Sequence, residues 1–246
     1  MTHHHARLVA VAIAAVSFST PITAQQEPTS PQTLEALVGT FGGRVSQNEQ
    51  GEVVGVDFFG PKLTDAGLAH LAGLTALKAV VVYADPRDAP LGIRIGNRVT
   101  DAGLAHLTGL TALERLRLGN TQVTDAGLAQ LTGLTALKEL HLDGTQITDA
   151  GLAHLTELPA LEQLSLNSAQ VTDAGLAQLT GLTSLTVLNL GNTQITDAGL
   201  VQVTGLTALE ELVLAGTQVT DAGVAELQKA LPSCAIRWGR MRGPVI

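Results

Sequence analysis

The sequence is poor in cysteine and in aromatic residues. Cys234 is the only cysteine among 246 residues, so no intramolecular disulfide can hold the fold together. Aromatic residues make up 2% of the chain, whereas 45% of it is hydrophobic, so the core has to be built from Leu, Val, Ile and Ala. Such a core suits a thin, regular fold better than a bulky globular one.

Basic residues are also scarce. Lys and Arg number 14 against 22 Asp and Glu, which gives a formal net charge of −8. Nucleic acids and anionic membranes require tracks of Lys and Arg, and the sequence has no such track. We therefore expect no nucleic-acid partner. We also expect no cofactor, because the sequence has no Walker loop, dinucleotide fingerprint or CxxC pair.

A long hydrophobic run is missing as well. The apolar run near the N-terminus extends only from Leu8 to Val16, far short of the about 20 residues that span a bilayer. Arg7 precedes this run and a small-residue site ending at Ala24 follows it, which is the order of an export signal. The sequence thus predicts a signal peptide over 1–24, no membrane-spanning segment in the mature chain, and a periplasmic or extracellular protein.

Repetition is what the chain has in abundance. The tetrapeptide Thr-Asp-Ala-Gly occurs seven times, and after a first interval of 36 residues the interval is always 24. A fixed period of this size is typical of a solenoid, in which each unit buries a hydrophobic face against its neighbours. The seven aspartates are Asp65, Asp101, Asp125, Asp149, Asp173, Asp197 and Asp221.

One unit, Thr100 to Val123, illustrates the local structure that the repeat predicts. Thr100 or Asp101 can cap a short helix with a side-chain oxygen, and Gly109 is placed to end that helix. Leucine and arginine alternate from Arg115 to Leu118, the period-2 pattern of a strand with one buried face. Each unit therefore predicts a helix, a turn, a strand and a turn. Successive strands would form a parallel sheet, with the short helices on the opposite wall.

Two of these strand segments, "LERLRLGNTQV" and "LKELHLDGTQI", resemble the L-x-x-L-x-L-x-x-N signature of leucine-rich repeat proteins. The resemblance extends from about Val53 to Val219, and "TDAGLAHL" resembles the helical half of the ribonuclease-inhibitor-like and GALA-type subclass, common in exported bacterial proteins. It implies an α/β leucine-rich repeat solenoid, a horseshoe or arc with a parallel concave sheet, short convex helices and a cap at each end. Thr replaces the family's usual Asn at Thr121, Thr145, Thr193 and Thr217.

The ends of a solenoid must be covered, because terminal units would otherwise expose core leucines to water. We predict a lead-in and N-terminal cap over 25–52. Repeats follow over 53–219, with an insertion at 85–96, where the first interval is longer than the others. A last helix and a C-terminal cap occupy 220–246.

Both caps carry specific expectations. The N-terminal cap should contain a short amphipathic helix around Pro31 to Thr40, with Phe41 as its main plug. In the C-terminal cap a final strand should pack Ile236, with Cys234 and Trp238 as further candidates. We expect Cys234 to be a buried structural thiol, which is the common state of a lone cysteine.

In the strand half of the repeat, the buried positions recur and the residues that point out of the concave face vary. A recognition surface on a regular scaffold would look like this, although solvated residues that drift freely would vary in the same way. Phe59 and Tyr83 share one row in adjacent repeats, so they stand exposed side by side or lie under the N-terminal cap or the insertion. Exposed aromatics and arginines are the usual anchors of protein interfaces. The candidate partner-binding residues are Asp57, Phe59, Tyr83, Arg87, Arg94, Arg115, Arg117, Glu139, His141 and Asp143.

Catalysis and metal binding are the competing hypotheses for the polar residues. His141, Asp143 and Ser165 share one face of two strands, but no nucleophile elbow or oxyanion hole accompanies them. Helix capping accounts for the seven aspartates, and the convex imidazoles of His70 and His106 are too few for a four-ligand metal site. We therefore predict no enzyme and no metal site.

The predicted function is recognition of an unidentified protein by the concave face. One alternative is a structural role in which the solenoid associates with itself. Another, implied by the GALA resemblance, is a ubiquitin-ligase adaptor, but the chain shows no F-box helical module.

Overall fold

The computed structural model describes residues 31–83 and 97–239. The predicted signal peptide and the insertion at 85–96 lie outside the described residues. Short helices alternate with short strands throughout. The α-helices are Pro31–Thr40 (α1), Asp65–Ala69 (α2), Asp101–Leu104 (α3), Asp125–Ala129 (α4), Asp149–Leu152 (α5), Asp173–Leu176 (α6), Asp197–Val203 (α7) and Asp221–Ala230 (α8). Three of them continue into 3-10 turns, over Ala105–Leu107, Ala153–Glu157 and Ala177–Gly181.

The strands form one sheet of nine, ordered as in the chain. They are Gly43–Gln47 (β1), Val53–Phe59 (β2), Ala79–Tyr83 (β3), Arg115–Arg117 (β4), Glu139–His141 (β5), Gln163–Ser165 (β6), Val187–Asn189 (β7), Glu211–Val213 (β8) and Ala235–Arg237 (β9). β1 is antiparallel to β2, and every later pair is parallel. The predicted α/β solenoid with a parallel sheet is confirmed.

A column of leucines and valines forms one continuous core. Burial of one leucine side chain contributes roughly 1.5–3 kcal/mol, so this column is the main source of stability. The exposed fraction is 0% for all seven apolar positions of the unit described above, Leu104, Leu107, Leu110, Leu113, Leu116, Leu118 and Val123.

Threonine fills the place of the family's usual Asn by bonding within its own turn. The Thr121 hydroxyl donates to the Leu118 carbonyl at 2.8 Å, and the Thr145 hydroxyl donates to the Leu142 carbonyl at 2.6 Å. Both threonines are only 4% exposed. The hydroxyl is thus satisfied inside the solenoid without any partner from another repeat.

Six of the seven repeat helices start with a threonine whose hydroxyl caps the first turn, and only Thr64 of α2 makes no such bond. The Thr124 hydroxyl accepts the Ala126 N–H at 3.3 Å, and the Thr148 hydroxyl accepts the Ala150 N–H at the same distance. The threonine cap is therefore confirmed. Gly109 directly follows the C-cap residue Thr108, where the sequence predicts that it ends the helix, but its backbone is not left-handed.

The repeated aspartates have a different role from the predicted one. Asp125 does not cap its own helix; its Oδ1 accepts the Thr148 N–H at 2.9 Å and its Oδ2 accepts the Thr148 hydroxyl at 2.6 Å. Six of the seven aspartates tie their repeat to the next one in this way, whereas Asp221 accepts the Trp238 indole N–H instead. We call this series the Asp–Thr ladder, and its rungs are Asp65–Thr100, Asp101–Thr124, Asp125–Thr148, Asp149–Thr172, Asp173–Thr196 and Asp197–Thr220.

The glycine of the tetrapeptide makes room for this ladder. A Cβ on Gly151 would overlap Oδ1 of Asp125 and would come within 3.2 Å of the Asp125 Cα. Real Cβ atoms do not approach so closely, so a larger residue would displace the aspartate. The threonine, aspartate and glycine of the repeated Thr-Asp-Ala-Gly sequence therefore all take part in the contact between neighbouring repeats.

The two caps depart in part from the predictions. Leu34 of α1 is 0% exposed, whereas Phe41 is only partly buried, so Phe41 is not the main plug. At the other end Cys234 is buried as predicted, with 4% exposed, and Ile236 is buried beside it. Trp238 is 44% exposed, because its indole N–H donates to Asp221 Oδ1 at 2.9 Å instead of packing inward.

None of the helices within 31–83 and 97–239 is long and apolar enough to cross a bilayer.

Candidate functional site

The strand register brings the variable residues into three rows on the concave face. The first row is Gly55, Ala79, Arg115, Glu139, Gln163, Val187 and Glu211. The second row is Asp57, Val81, Arg117, His141, Ser165, Asn189 and Val213. The third row begins with Phe59 and Tyr83, and continues through Gly119, which lies beside Asp143.

Two aromatic rings stand exposed at the N-terminal end of the third row. The Phe59 and Tyr83 rings are stacked with their centroids 5.0 Å apart and their planes 3° from parallel. Each side chain is 42% exposed, so the N-terminal cap does not bury the two rings. On the outer side, the Arg44 guanidinium carbon lies 5.6 Å from the Phe59 ring centroid. The three side chains form a continuous stack, with a cation at its outer end.

Arg44 was not among the binding residues predicted from the sequence. It belongs to β1, which lies outside the 24-residue repeat and runs antiparallel to β2, where Arg44 pairs with Asp57. The spacing of the repeats therefore says nothing about which β1 residue faces Phe59. Alternation in "GRVSQ" places Arg44 on one face of its strand and is the only signal that the sequence offers.

A charged network follows on β4 and β5. The Arg117 Nε donates to Glu139 Oε1, and His141 Nε2 lies 3.1 Å from the same oxygen. Glu139 is only 8% exposed, so this carboxylate is held between two neighbours and away from water. By contrast, Arg115 is exposed and makes no salt bridge with another residue of the described ranges.

The network continues through Asp143 to the next strand. The Ser165 hydroxyl donates to Asp143 Oδ1, and the Asn167 N–H donates to the same oxygen at 3.1 Å. The second oxygen, Oδ2, is 3.7 Å from His141 Nδ1, which is longer than a hydrogen bond. Oδ1 of Asp143 thus accepts two hydrogen bonds, whereas Oδ2 accepts none from the described residues.

The pKa of His141 is lowered. Burial of the imidazole is the larger cause and the positive charge of Arg117 the next, while Asp143 and Glu139 act in the opposite direction. The lowered pKa keeps His141 neutral at pH 7.

This geometry does not form a catalytic triad. The Ser165 hydroxyl donates to Asp143, and His141 lies between the carboxylates of Asp143 and Glu139. A nucleophilic serine would instead need its hydroxyl on the imidazole, which acts as the general base.

The remaining candidates have no such arrangement. Within the described ranges no three or more His, Cys, Asp or Glu side chains gather in a way that could hold a metal ion. Asp57 lies in the second row beside Val81. Arg87 and Arg94 lie outside the described residues.

Comparison with known proteins agrees with the fold. A leucine-rich repeat family model matches residues 133–155 and 181–202. Internalin C2 of Listeria monocytogenes is 23% identical, with a TM-score of 0.55, covering 85% of this chain and 93% of that chain. Another internalin of the same organism is 24% identical, with a TM-score of 0.50, covering 73% of this chain and 54% of that chain, about half of its length. No curated protein matches the sequence.

The stacked helix and strand units define an α/β solenoid with one continuous sheet. A leucine-rich repeat family model matches two stretches of this solenoid, and the architecture is that of a leucine-rich repeat fold.

Proposed function

We propose that this chain is a non-catalytic recognition protein that binds another protein on the N-terminal half of its concave face. The binding surface consists of Arg44 and the candidate residues Asp57, Phe59, Tyr83, Arg115, Arg117, Glu139, His141 and Asp143, and the candidates Arg87 and Arg94 are kept as proposed contributors from the insertion.

The exposed stack of Phe59 and Tyr83 is the observation that carries the proposal. The sequence of 246 residues has only six aromatic residues: one Trp, one Tyr and four Phe. Two of these six, Phe59 and Tyr83, lie together on one patch of the open sheet. Solvated positions that drift freely would rarely hold two large apolar rings in contact with water. Protein interfaces concentrate their binding energy on such aromatic and arginine side chains.

The polar network supports the same proposal. Arg117, Glu139 and His141 are already fixed by contacts with one another, so a partner that binds them loses little side-chain entropy. The network also occupies the Ser165 hydroxyl and the His141 imidazole, which argues for binding over acyl transfer.

We further propose that the protein is bacterial, exported by the N-terminal signal with cleavage near Ala24, and related to the GALA-type subclass. The order of Arg7, the apolar run and the small-residue site supports export. The "TDAGLAHL" repeat supports the subclass.

A capture experiment tests the function. Residues 25–246 would be used as bait on the envelope fraction and medium of the producing cell, beside the triple variant Phe59→Ser, Tyr83→Ser, Arg115→Glu. Arg117 is left unchanged because its replacement would leave the buried Glu139 carboxylate without its arginine partner. The matched control is Val201→Ser with Lys229→Glu, two exposed changes on the helical side.

We expect a protein that is captured by the parent and by the control but lost with the triple variant, all three being folded by circular dichroism. Equal capture by all three would place the binding surface elsewhere. Capture by none, together with a concentration-dependent oligomer in light scattering, would favour self-association instead.

A further inference from the structure

The third row has a gap beside the aromatic stack. After Phe59 and Tyr83, the next position in the row is Gly119, and the one after it is Asp143. Hydrogen bonds confirm this register, because the Leu118 N–H donates to the His141 carbonyl and the Asn120 N–H donates to the Asp143 carbonyl. Gly119 has no side chain, so the third row places none next to the inner face of the Tyr83 ring.

The gap has the width of one planar group. Neighbouring strands lie about 4.8 Å apart, so the backbones at Tyr83 and Asp143 are separated by about 9.6 Å. A flat group that stacks on the Tyr83 ring, about 3.5–4 Å away, leaves about 5.6–6.1 Å to the backbone at Asp143. The Asp143 side chain borders this remaining space, since its Cβ lies 3.9 Å from the place that a Cβ on Gly119 would take. We call this space the Tyr83–Asp143 slot.

The electrostatics of the slot favour a cation. The charge of Arg117 is paired with Glu139, and His141 is neutral at pH 7. Asp143 carries a negative charge whose Oδ2 has no short contact within the described chain. Arg115 lies in the first row, four residues along the strand from the third, or about 13 Å away. Among the described side chains, the unpaired charge nearest the slot is therefore that of Asp143.

At the opposite end of the same aromatic stack, a guanidinium group already lies on an aromatic face. There the Arg44 guanidinium covers the outer face of Phe59 at 5.6 Å. A guanidinium is planar, stacks on aromatic faces and pairs with carboxylates through a fork of N–H donors, whereas an ammonium is a compact and strongly hydrated charge. The Tyr83–Asp143 slot offers an aromatic face and a carboxylate oxygen to the same group.

We propose that the Tyr83–Asp143 slot receives an arginine side chain of the partner protein, with its guanidinium stacked on Tyr83 and its positive charge facing the Asp143 carboxylate. This inference rests on the proposed function and narrows it, since it requires a partner that presents an exposed arginine. The acidic net charge of −8 is consistent with such a partner.

Tyr83 is the only tyrosine in the sequence, which makes the test specific. The chain would be labelled with ring-13C tyrosine and titrated with N-acetyl-arginine amide, while the Tyr83 ring signals are followed by NMR. We expect a saturable shift of these signals and upfield ring-current shifts of the probe's guanidinium-side methylene protons. N-acetyl-citrulline amide, which is flat but neutral, and N-acetyl-lysine amide should each bind at least about threefold more weakly.

Two variants locate the contact. Asp143→Asn should weaken binding of the arginine probe roughly three- to fivefold, as expected for a half-exposed ion pair. Gly119→Leu should abolish the shift by filling the slot, and it should fold, because a Cβ there would make only ordinary contacts of 3.7 and 3.9 Å. Gly109→Leu, where a Cβ meets nothing within 4 Å, adds the same side chain elsewhere and should leave the shift unchanged.

Several outcomes would overturn the inference. If the citrulline probe binds as tightly as the arginine probe, the charge of Asp143 does not contribute to binding. If the Tyr83 signals still shift in the Gly119→Leu variant, the probe binds outside the slot. No saturable shift up to the solubility limit of the probe would dismiss the site altogether.

Failure of this inference can be told from failure of the proposed function. If the triple variant loses the captured protein but the arginine probe leaves Tyr83 unmoved, the concave face binds a partner through other chemistry. If the probe binds in the slot but capture does not depend on the triple variant, the slot exists and the proposed function fails.

Discussion

The Asp–Thr ladder and the concave face lie in the same repeats and are built on opposite rules. In the ladder every rung repeats the same two bonds, such as Asp149 to the Thr172 N–H at 2.8 Å and to its hydroxyl at 2.6 Å. On the concave face the contacts differ from repeat to repeat: the Phe59–Tyr83 stack and the Ser165–Asp143 bond each occur once, and an Arg–Glu pair occurs only at Arg117–Glu139 and at Arg237–Glu211 among the described residues.

This difference separates stability from recognition. A repeated contact couples each unit to the next, and the stability of a solenoid is the sum of such terms. A contact that occurs once adds little to the array but gives one position on the face its own shape and charge. Substitutions in the framework should therefore change the free energy of unfolding, whereas substitutions on the concave face should change binding.

The largest expected effect compares two neighbouring residues of β6. Leu164 is 1% exposed and points into the core, whereas Gln163 is exposed on the concave face. Leu164→Asp should bury an unpaired charge and remove about 4–5 kcal/mol or more from the free energy of unfolding, enough to unfold the array. Gln163→Asp should change that free energy by no more than about 0.5 kcal/mol. Urea unfolding followed by circular dichroism measures both free energies. A large decrease in the free energy of unfolding of the Gln163 variant would contradict the separation between core and concave face.

A second comparison probes the space that the ladder occupies. Gly151→Ala should cost about 1–3 kcal/mol, because the added Cβ overlaps the Asp125 carboxylate. Gly109→Ala, with nothing within 4 Å of the added Cβ, should be neutral or stabilising by about 0.4–1 kcal/mol.

The double variant Asp125→Ala, Gly151→Ala tests the cause. Since the first change removes the atoms that the new Cβ strikes, the double variant should cost less than the sum of the two single variants. Urea midpoints of the four proteins give the coupling energy. Additive losses would show that Gly151 is required for another reason.

A third prediction concerns the acid sensitivity of the ladder. The hydroxyl of Thr220, and then its N–H, hold the pKa of Asp197 below its usual value. A lowered carboxyl pKa contributes stability that is present above the unfolded pKa of about 3.9 and is lost as pH falls through the folded pKa. Asp197→Asn should flatten the fall of the urea midpoint at acid pH, whereas Glu226→Gln, an exposed control, should not. A 13C titration of Asp197 that shows no lowering of its pKa would contradict the role of this rung.

The smallest expected effect lies on the concave face. Arg117→Gln should raise the pKa of His141, because it removes a nearby positive charge and leaves Glu139 to interact with the imidazole. The lowered pKa of His141 means that its contribution to stability is complete above the unfolded pKa of about 6.5 and falls as pH drops below it. NMR titration of the imidazole measures the change, with Arg115→Gln as the control. A pKa that stays the same in Arg117→Gln would show that burial alone sets it.

Much of the fold follows from the spacing of the repeat. The helix predicted around Pro31 to Thr40 has those bounds, and the first two rows of concave residues agree with the observed register. A constant period makes this possible, since one unit fixes the faces of all the others. The stacking of Phe59 on Tyr83 also follows, because equivalent residues of adjacent parallel strands lie side by side.

The sequence by itself therefore determined the solenoid, its buried column and the set of residues that face outward, because periodicity in apolar residues specifies burial. The tertiary structure alone decided the partners of the polar groups. Asp125 bonds to the next repeat instead of its own helix, Arg44 reaches Phe59 from an antiparallel strand, and Asp143 takes the Ser165 hydroxyl. Each polar side chain has several donors or acceptors nearby in sequence, and which one it meets depends on distances of an ångström or less between neighbouring repeats.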